Sequence, residues 1–133
     1  MSDCRDAPPP ALLEGIALFN RGEFFECHEV LEDLWREEDA PVRALYQGVI
    51  QIGVALHHLR RGNWRGAVKL LTAGTEKVAR FLPRCQGLDT AALLAASRCC
   101  LERIQTLGPE RLDEFDLTRV PLIAVEVGQH RER

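Results

Sequence analysis

The chain has 133 residues, 17 Lys and Arg against 20 Asp and Glu, a net charge of −3 and a sequence pI near 5.8. This length predicts a single domain that can bury a core without covalent staples. The basic residues are dispersed, so no footprint for a nucleic-acid backbone or an anionic membrane is expected. Five cysteines without C-x-x-C spacing, and the lack of a leader-like or membrane-spanning apolar run, predict an unprocessed cytoplasmic protein.

The first part of the chain contains a flexible arm and one short helix. Residues 1–10 end in three prolines, which predicts an extended, disordered arm. The apolar spacing over 11–20 predicts a helix, and Gly22 is suited to the position just after its end.

The second helix, about 23–37, holds the main candidate site. Phe24, Cys27, Leu31 and Trp35 recur at helical spacing, and His28 is expected in the middle of this buried stripe. Residues four apart on a helix are neighbours, so His28 can contact the Glu32 carboxylate. A buried carboxylate needs a partner, which the next helix is expected to supply.

The third helix, about 41–61, is the most apolar segment and should lie at the centre of the bundle. A row of polar side chains nevertheless follows one side of it. These residues are Arg43, Gln47, Gln51 and His58, whereas His57 projects beside Ile50 and Tyr46. We expect them to meet His28 and Glu32 in a polar pocket between the second and third helices, although periodicity does not decide whether His57 or His58 faces Glu32.

The rest of the chain predicts two further helices and a tail. Asn63 is a suitable N-cap for a fourth helix over about 64–81, and Asp89 or Thr90 for a fifth that ends at Gly108. Residues 110–133 are expected to form an irregular or extended strap over the bundle of residues 11–109. The predicted fold is all-α: about five helices, arranged as two helical hairpins plus one, with a short extended C-terminal strap.

A weak internal repeat supports the two hairpins. Arg21-Gly22-Glu23-Phe24 and Arg61-Gly62-Asn63-Trp64 match at a spacing of 40 residues. The counterpart of His28 in the second half is Val68. The histidine is therefore not required by the repeat's packing, which favours a role particular to the first half.

These motifs resemble a small all-helical family of bacteria and archaea that is catalogued as domain of unknown function three hundred and nine. The residues that carry the resemblance are Phe19-Asn20-x-Gly22-Glu23-Phe24-Phe25-Glu26-x-His28-Glu29-x-x-Glu32-x-x-Trp35, Tyr46-Gln47-Gly48-x-Ile50-Gln51 and Leu59-x-x-Gly62-Asn63-x-x-Gly66-Ala67. The resemblance covers roughly 11–82 and implies a compact helical bundle with a short C-terminal strap. It implies no established activity.

Two functional hypotheses depend on chemistry at His28. In the first, His28 and Glu32 bind a zinc, manganese or iron ion, with His57 or His58 as a further ligand; the spacing is that of the zinc motif H-E-x-x-H with glutamate in place of the second histidine. In the second, His28 and Glu32 form a metal-free acid–base pair, and Arg43, Gln47 and Gln51 bind a small polar ligand.

Two other hypotheses require no chemistry. His28, Glu32, Gln47 and Gln51 could form a buried polar network that fixes helix register, with the four aromatic residues Phe24, Phe25, Trp35 and Trp64 in packing roles. Alternatively, the helical hairpins could present a groove to a protein partner, or the strap could contact a second copy in a homodimer. The sequence does not decide whether the protein is an enzyme, and it leaves the function unknown, with a small-ligand or metal-binding pocket as the leading hypothesis.

Overall fold

The computed structural model describes residues 3–126 and shows an all-α fold in that range. Its helices are α1 (Pro10–Asn20), α2 (Phe24–Glu37), α3 (Arg43–Arg60), α4 (Trp64–Val78) and α5 (Thr90–Leu107), with short 3-10 turns at Ala79–Phe81, Pro109–Glu114 and Leu117–Arg119. Each α-helix packs against the next one along the chain. In this part of the chain, none of the helices has the length and apolarity needed to cross a bilayer.

Helix α3 lies at the centre, as its composition predicted. Half of its residues are buried, and they face both neighbouring helices. It approaches α4 closely: a Cβ built on Gly74 would lie 2.8 Å from the Gly48 carbonyl oxygen and 2.7 Å from Ile52 Cγ1. The absence of side chains at these two glycines therefore sets the distance between α3 and α4.

The two predicted repeat turns have the same backbone geometry. Gly22 and Gly62 have φ angles of 78° and 77°, a region that glycine enters without steric cost. The Glu23 amide donates to the Leu18 carbonyl at 2.9 Å, and the Asn63 amide donates to the His58 carbonyl at 2.8 Å. Both turns thus end a helix by the same six-to-one hydrogen bond of a Schellman motif.

The N-terminal arm is attached at a point that the sequence analysis did not anticipate. Cys4 forms a disulfide with Cys85, 81 residues away, and its carbonyl accepts a hydrogen bond from the Gln86 amide. The side chain of Gln86 is fully buried and accepts a 2.8 Å hydrogen bond from the Tyr46 hydroxyl. Cysteine spacing could not indicate this pair, because only the tertiary fold brings the two residues together.

The C-terminal residues contact the loop between α4 and α5, to which the N-terminal arm is also attached. The Asp89 amide donates to the Ala124 carbonyl, and the Glu126 amide donates to the Gly87 carbonyl. The Asn20 side chain both donates to the Ile123 carbonyl and accepts from its amide, at 2.9 and 2.8 Å. Residues 127–133 of the predicted strap lie outside the described residues, as do residues 1 and 2 of the arm.

The α3–α4 approach gives a direct test of packing. Gly74→Ala should destabilise the fold by about 1–3 kcal/mol, because the added methyl group overlaps Ile52 and the Gly48 carbonyl. Gly53→Ala is the matched control, since its methyl group would meet the Phe19 ring at an ordinary 3.5 Å. Alanine's better helix propensity should leave this variant as stable as the parent or up to about 1 kcal/mol more stable. Urea denaturation of both variants measures the difference; equal effects would contradict the packing account.

Candidate functional site

The His28–Glu32 contact forms as predicted, but at the surface of α2. His28 Nε2 lies 3.1 Å from Glu32 Oε1, and the two side chains are 37% and 31% exposed. The buried stripe of α2 consists of Phe24, Cys27 and Leu31, and His28 lies beside it. The prediction that this pair is buried is therefore wrong. His28 lies next to the core stripe and not within it, so its side chain reaches water.

Arg36 extends the pair by one more turn of the helix. Its Nη2 lies 3.4 Å from Glu32 Oε2, and its Nη1 lies 3.6 Å from Asp33 Oδ1. Glu32 thus has a side-chain nitrogen near each of its carboxylate oxygens, at four-residue spacing from both. Exposed pairs of this kind contribute at most about 1 kcal/mol each, so the row orders the surface more than it stabilises the fold.

The groove around this row is built by α2 alone. It has a volume of about 360 Å³, is open to solvent, and is lined by Phe25, His28, Glu29, Glu32, Asp33 and Arg36. The expected pocket between α2 and α3 is thus not what the structure forms around His28. We refer to these six residues as the α2 groove.

Phe25 is the residue of this groove that sequence analysis misassigned. It was expected in a packing role with Phe24, yet its side chain is 64% exposed whereas Phe24 is 5% exposed. The signal was available, because a residue next to the core stripe of a helix points about 100° away from it. Arg36 could likewise have been found as the i+4 neighbour of Glu32.

Arg43 contacts the end of α2 and does not line the α2 groove. Its Nε and Nη2 donate to the Trp35 carbonyl at 3.3 and 3.2 Å, and its guanidinium lies 4.3 Å from the Trp35 ring centroid. The Trp35 carbonyl is one of the last four of α2, which have no partner within the helix. Arg43 therefore caps the C-terminal end of α2.

The two glutamines of α3 do not join the pair on α2. Gln47 and Gln51 are half-buried, and neither lines the α2 groove. The Gln51 Oε1 atom is buried and has no hydrogen-bond partner among residues 3–126. The predicted buried network of His28, Glu32, Gln47 and Gln51 is therefore not formed.

The two histidines of α3 have separate surroundings. The Asn63 Nδ2 amide lies 3.2 Å from His58 Nδ1, and Asn63 Oδ1 accepts from the Gly66 amide at 3.0 Å, so His58 supports the N-cap of α4. No ion pair or hydrogen bond joins Glu32 to either histidine in the described residues. The same range contains no cluster of three His, Cys, Asp or Glu side chains able to hold a metal ion. His28 and Glu32 would have to bind a metal without the predicted third ligand.

The groove also lacks an activated thiol. Cys27 lies on the core side of α2, and burial raises the pKa of its thiol to about 12. A thiol with that pKa is neutral near pH 7 and does not act as a nucleophile. What the groove offers is an imidazole beside a carboxylate, several further charges, and an exposed aromatic ring.

Comparison with known proteins agrees with the resemblance carried by the motifs. Residues 12–70 match the family described as Domain of unknown function (DUF309). This match includes all but the first two residues of α1, the whole of α2 and α3, and the start of α4, and so the whole α2 groove.

Two relatives extend the comparison. An uncharacterized protein of Bacillus subtilis (strain 168), YpuF, is 36% identical over 105 residues, which are 75% of this chain and 60% of YpuF. An uncharacterized protein of Aquifex aeolicus (strain VF5) is 25% identical over 85 residues, which are 63% of this chain and 26% of that protein. The chain thus spans less than two thirds of either relative.

His57 gives a pH test that is independent of the groove. Burial, together with the nearby Arg61, Arg60 and His58, lowers the pKa of His57 below its usual value near 6.5. On acidification the unfolded chain takes up this proton first, so folding stability should fall as the pH drops below about 6.5. His57→Gln should reduce the fall in melting temperature between pH 7.5 and 5.5. An unchanged pH dependence in this variant would contradict the assignment.

Proposed function

We propose that this chain is a binding module whose α2 groove holds a cationic, partly apolar segment of another protein. The observation that carries the proposal is Phe25, a large aromatic ring that is 64% exposed within a groove lined mainly by charged side chains. Aromatic residues are enriched among the anchors of protein interfaces, and an exposed one with a polar rim is typical of a docking surface.

The sign of the partner's charge follows from the charge of α2 and its flanks. Residues 23–39 contain eight of the chain's 20 Asp and Glu residues and one of its 17 Lys and Arg residues. The remaining sequence consequently has an excess of basic residues, so the acidic surface is local. Such a surface attracts Lys- and Arg-rich partners and increases their association rate.

The internal contacts of the groove suit recognition. Glu32 lies within ion-pair distance of His28 and Arg36, which favours one orientation of its carboxylate. Glu29 and Asp33 are exposed on the same side of the groove. A partner's basic side chains could pair with these carboxylates while an apolar side chain contacts Phe25, without closing the groove to water.

The comparisons support a module of this kind. In the Aquifex protein the matched region is 26% of the length, so most of that chain lies outside it. This reading is the interaction alternative from the sequence, now assigned to the outer face of α2, and it takes precedence over the small-ligand and metal hypotheses.

Several finer expectations accompany the proposal. The two-hairpin layout is supported by the matching turns at Gly22 and Gly62, and the C-terminal strap by the Asn20–Ile123 hydrogen bonds. The three free cysteines support a cytoplasmic location. The Cys4–Cys85 disulfide argues against it, because disulfides are rare in the cytoplasm. The flexible arm, the homodimer and the absence of a nucleic-acid partner stay predictions.

A peptide-binding measurement tests the proposal. A labelled synthetic peptide of repeated Lys-Leu-Arg-Leu should bind, and Phe25→Ser should weaken binding by about tenfold because the aromatic anchor is lost. Glu29→Gln combined with Asp33→Asn should weaken it by about five- to tenfold, with a smaller dependence on salt. Fluorescence anisotropy at two salt concentrations measures both effects.

Two controls separate recognition from unspecific charge attraction. Glu102→Gln removes an exposed carboxylate from α5 and should leave binding unchanged. None of these variants should lower the free energy of unfolding by more than about 1 kcal/mol, since they change exposed side chains. Equal weakening by Glu102→Gln, or unchanged binding in Phe25→Ser, would overturn the proposal.

A further inference from the structure

A second and larger cleft lies between α5 and the C-terminal turns. One wall is the helical stripe Ala96, Cys99, Cys100 and Arg103, and the other is formed by residues 114–116 and 118–120. Its volume is about 560 Å³, within the range of sites for small organic ligands. We call it the α5 cleft; it shares no lining residue with the α2 groove.

The interior of the α5 cleft is apolar. Cys100 and Phe115 are 3% and 9% exposed, and Ala96 and Val120 are half-buried beside them. Burial raises the pKa of the Cys100 thiol to about 12, so this sulfur is uncharged near neutral pH. The floor can therefore accept an apolar or aromatic group but offers no charge to it.

The carboxylates at the rim already have partners within their own wall. Glu114 accepts two hydrogen bonds from Arg111, at 3.1 and 3.0 Å. Asp116 accepts from the amide and the hydroxyl of Thr118, at 3.0 and 2.7 Å. These hydrogen bonds lower the pKa of both carboxyl groups, and the more distant Arg103 and Arg119 add to the effect.

The two arginines of the cleft are in a different situation. Arg103 projects from α5 and Arg119 from the opposite wall, and both are exposed at the rim. Among residues 3–126 neither guanidinium makes a hydrogen bond or an ion pair with a side chain. A guanidinium presents a planar set of donors that matches a carboxylate or phosphate group in two parallel hydrogen bonds.

We propose that the α5 cleft binds a small amphipathic anion. Its carboxylate or phosphate group would lie between Arg103 and Arg119, and its apolar body would contact Phe115 and Cys100. Glu114 is already paired with Arg111, and neither carboxylate of the rim forms an ion pair with Arg103 or Arg119 among the described residues. This site is separate from the α2 groove and does not depend on the function proposed for it.

Cys99 provides a reporter inside the cleft. It is the exposed free cysteine of the described residues, whereas Cys27 and Cys100 are buried and Cys4 and Cys85 are bonded to each other. Iodoacetate and iodoacetamide alkylate the same thiolate with loss of iodide, and differ in that iodoacetate is an anion. The ratio of their rates at Cys99 therefore reports how strongly the cleft attracts an anion, independently of how ionised the thiol is.

The expected result is a rate ratio that depends on the two arginines. Replacing both, as Arg103→Gln with Arg119→Gln, should lower the iodoacetate-to-iodoacetamide ratio by about tenfold, since two charge-assisted contacts are lost. Arg98→Gln is the control, because Arg98 is exposed on α5 but does not line the cleft. Its ratio should match the parent. Mass spectrometry of the Cys99 peptide gives the rates, and circular dichroism checks that each variant folds.

A protection experiment identifies the ligand class. Phenylacetate and phenyl phosphate should slow the iodoacetamide reaction of Cys99, whereas uncharged benzyl alcohol should not. The anion that protects Cys99 at the lower concentration shows whether the site prefers a carboxylate or a phosphate group. The proposal is overturned if benzyl alcohol protects equally, if neither anion protects at millimolar concentration, or if Arg98→Gln lowers the rate ratio as much as the double variant does.

Discussion

The close approach of α3 and α4 at Gly48 and Gly74 is the constraint on which the rest of the fold depends. A Cβ at Gly74 would overlap both Ile52 and the Gly48 carbonyl, so this distance exists only with glycine at the contact. With α4 this near on one side and α2 on another, α3 becomes the core of the bundle. The other helices then need only one apolar stripe each, and their remaining faces are left to solvent.

This arrangement explains why the His28 face of α2 points outward. Phe24, Cys27 and Leu31 fill the contact with the bundle, and Arg43 closes the end of the helix at the Trp35 carbonyl. The residues of the α2 groove are therefore not needed to pack the core. Exposure of the Phe25 ring to water is unfavourable in free energy, and a bound partner that covered the ring would remove this cost.

Sequence patterns predicted the elements well because those patterns are local. The stripe of α2, the capping side chains Asn63 and Asp89, and the shared turn at Gly22 and Gly62 each depend on residues within a few positions of one another. The surroundings of His28 depend on how far α3 extends around α2, which no local pattern records. The same holds for the Cys4–Cys85 disulfide and for Arg43, whose partner across the α2–α3 turn is a backbone carbonyl.

Nuclear magnetic resonance mapping of the bound surface tests the central claim most directly. In a two-dimensional ¹H–¹⁵N spectrum, addition of the Lys-Leu-Arg-Leu peptide should shift the amide signals of Phe25, His28, Glu29, Glu32 and Arg36, and leave those of the buried α3 residues in place. Such a footprint would show that the outer face of α2 is the recognition surface. Shifts centred on another helix, or spread evenly over the exposed carboxylates of the chain, would contradict the account.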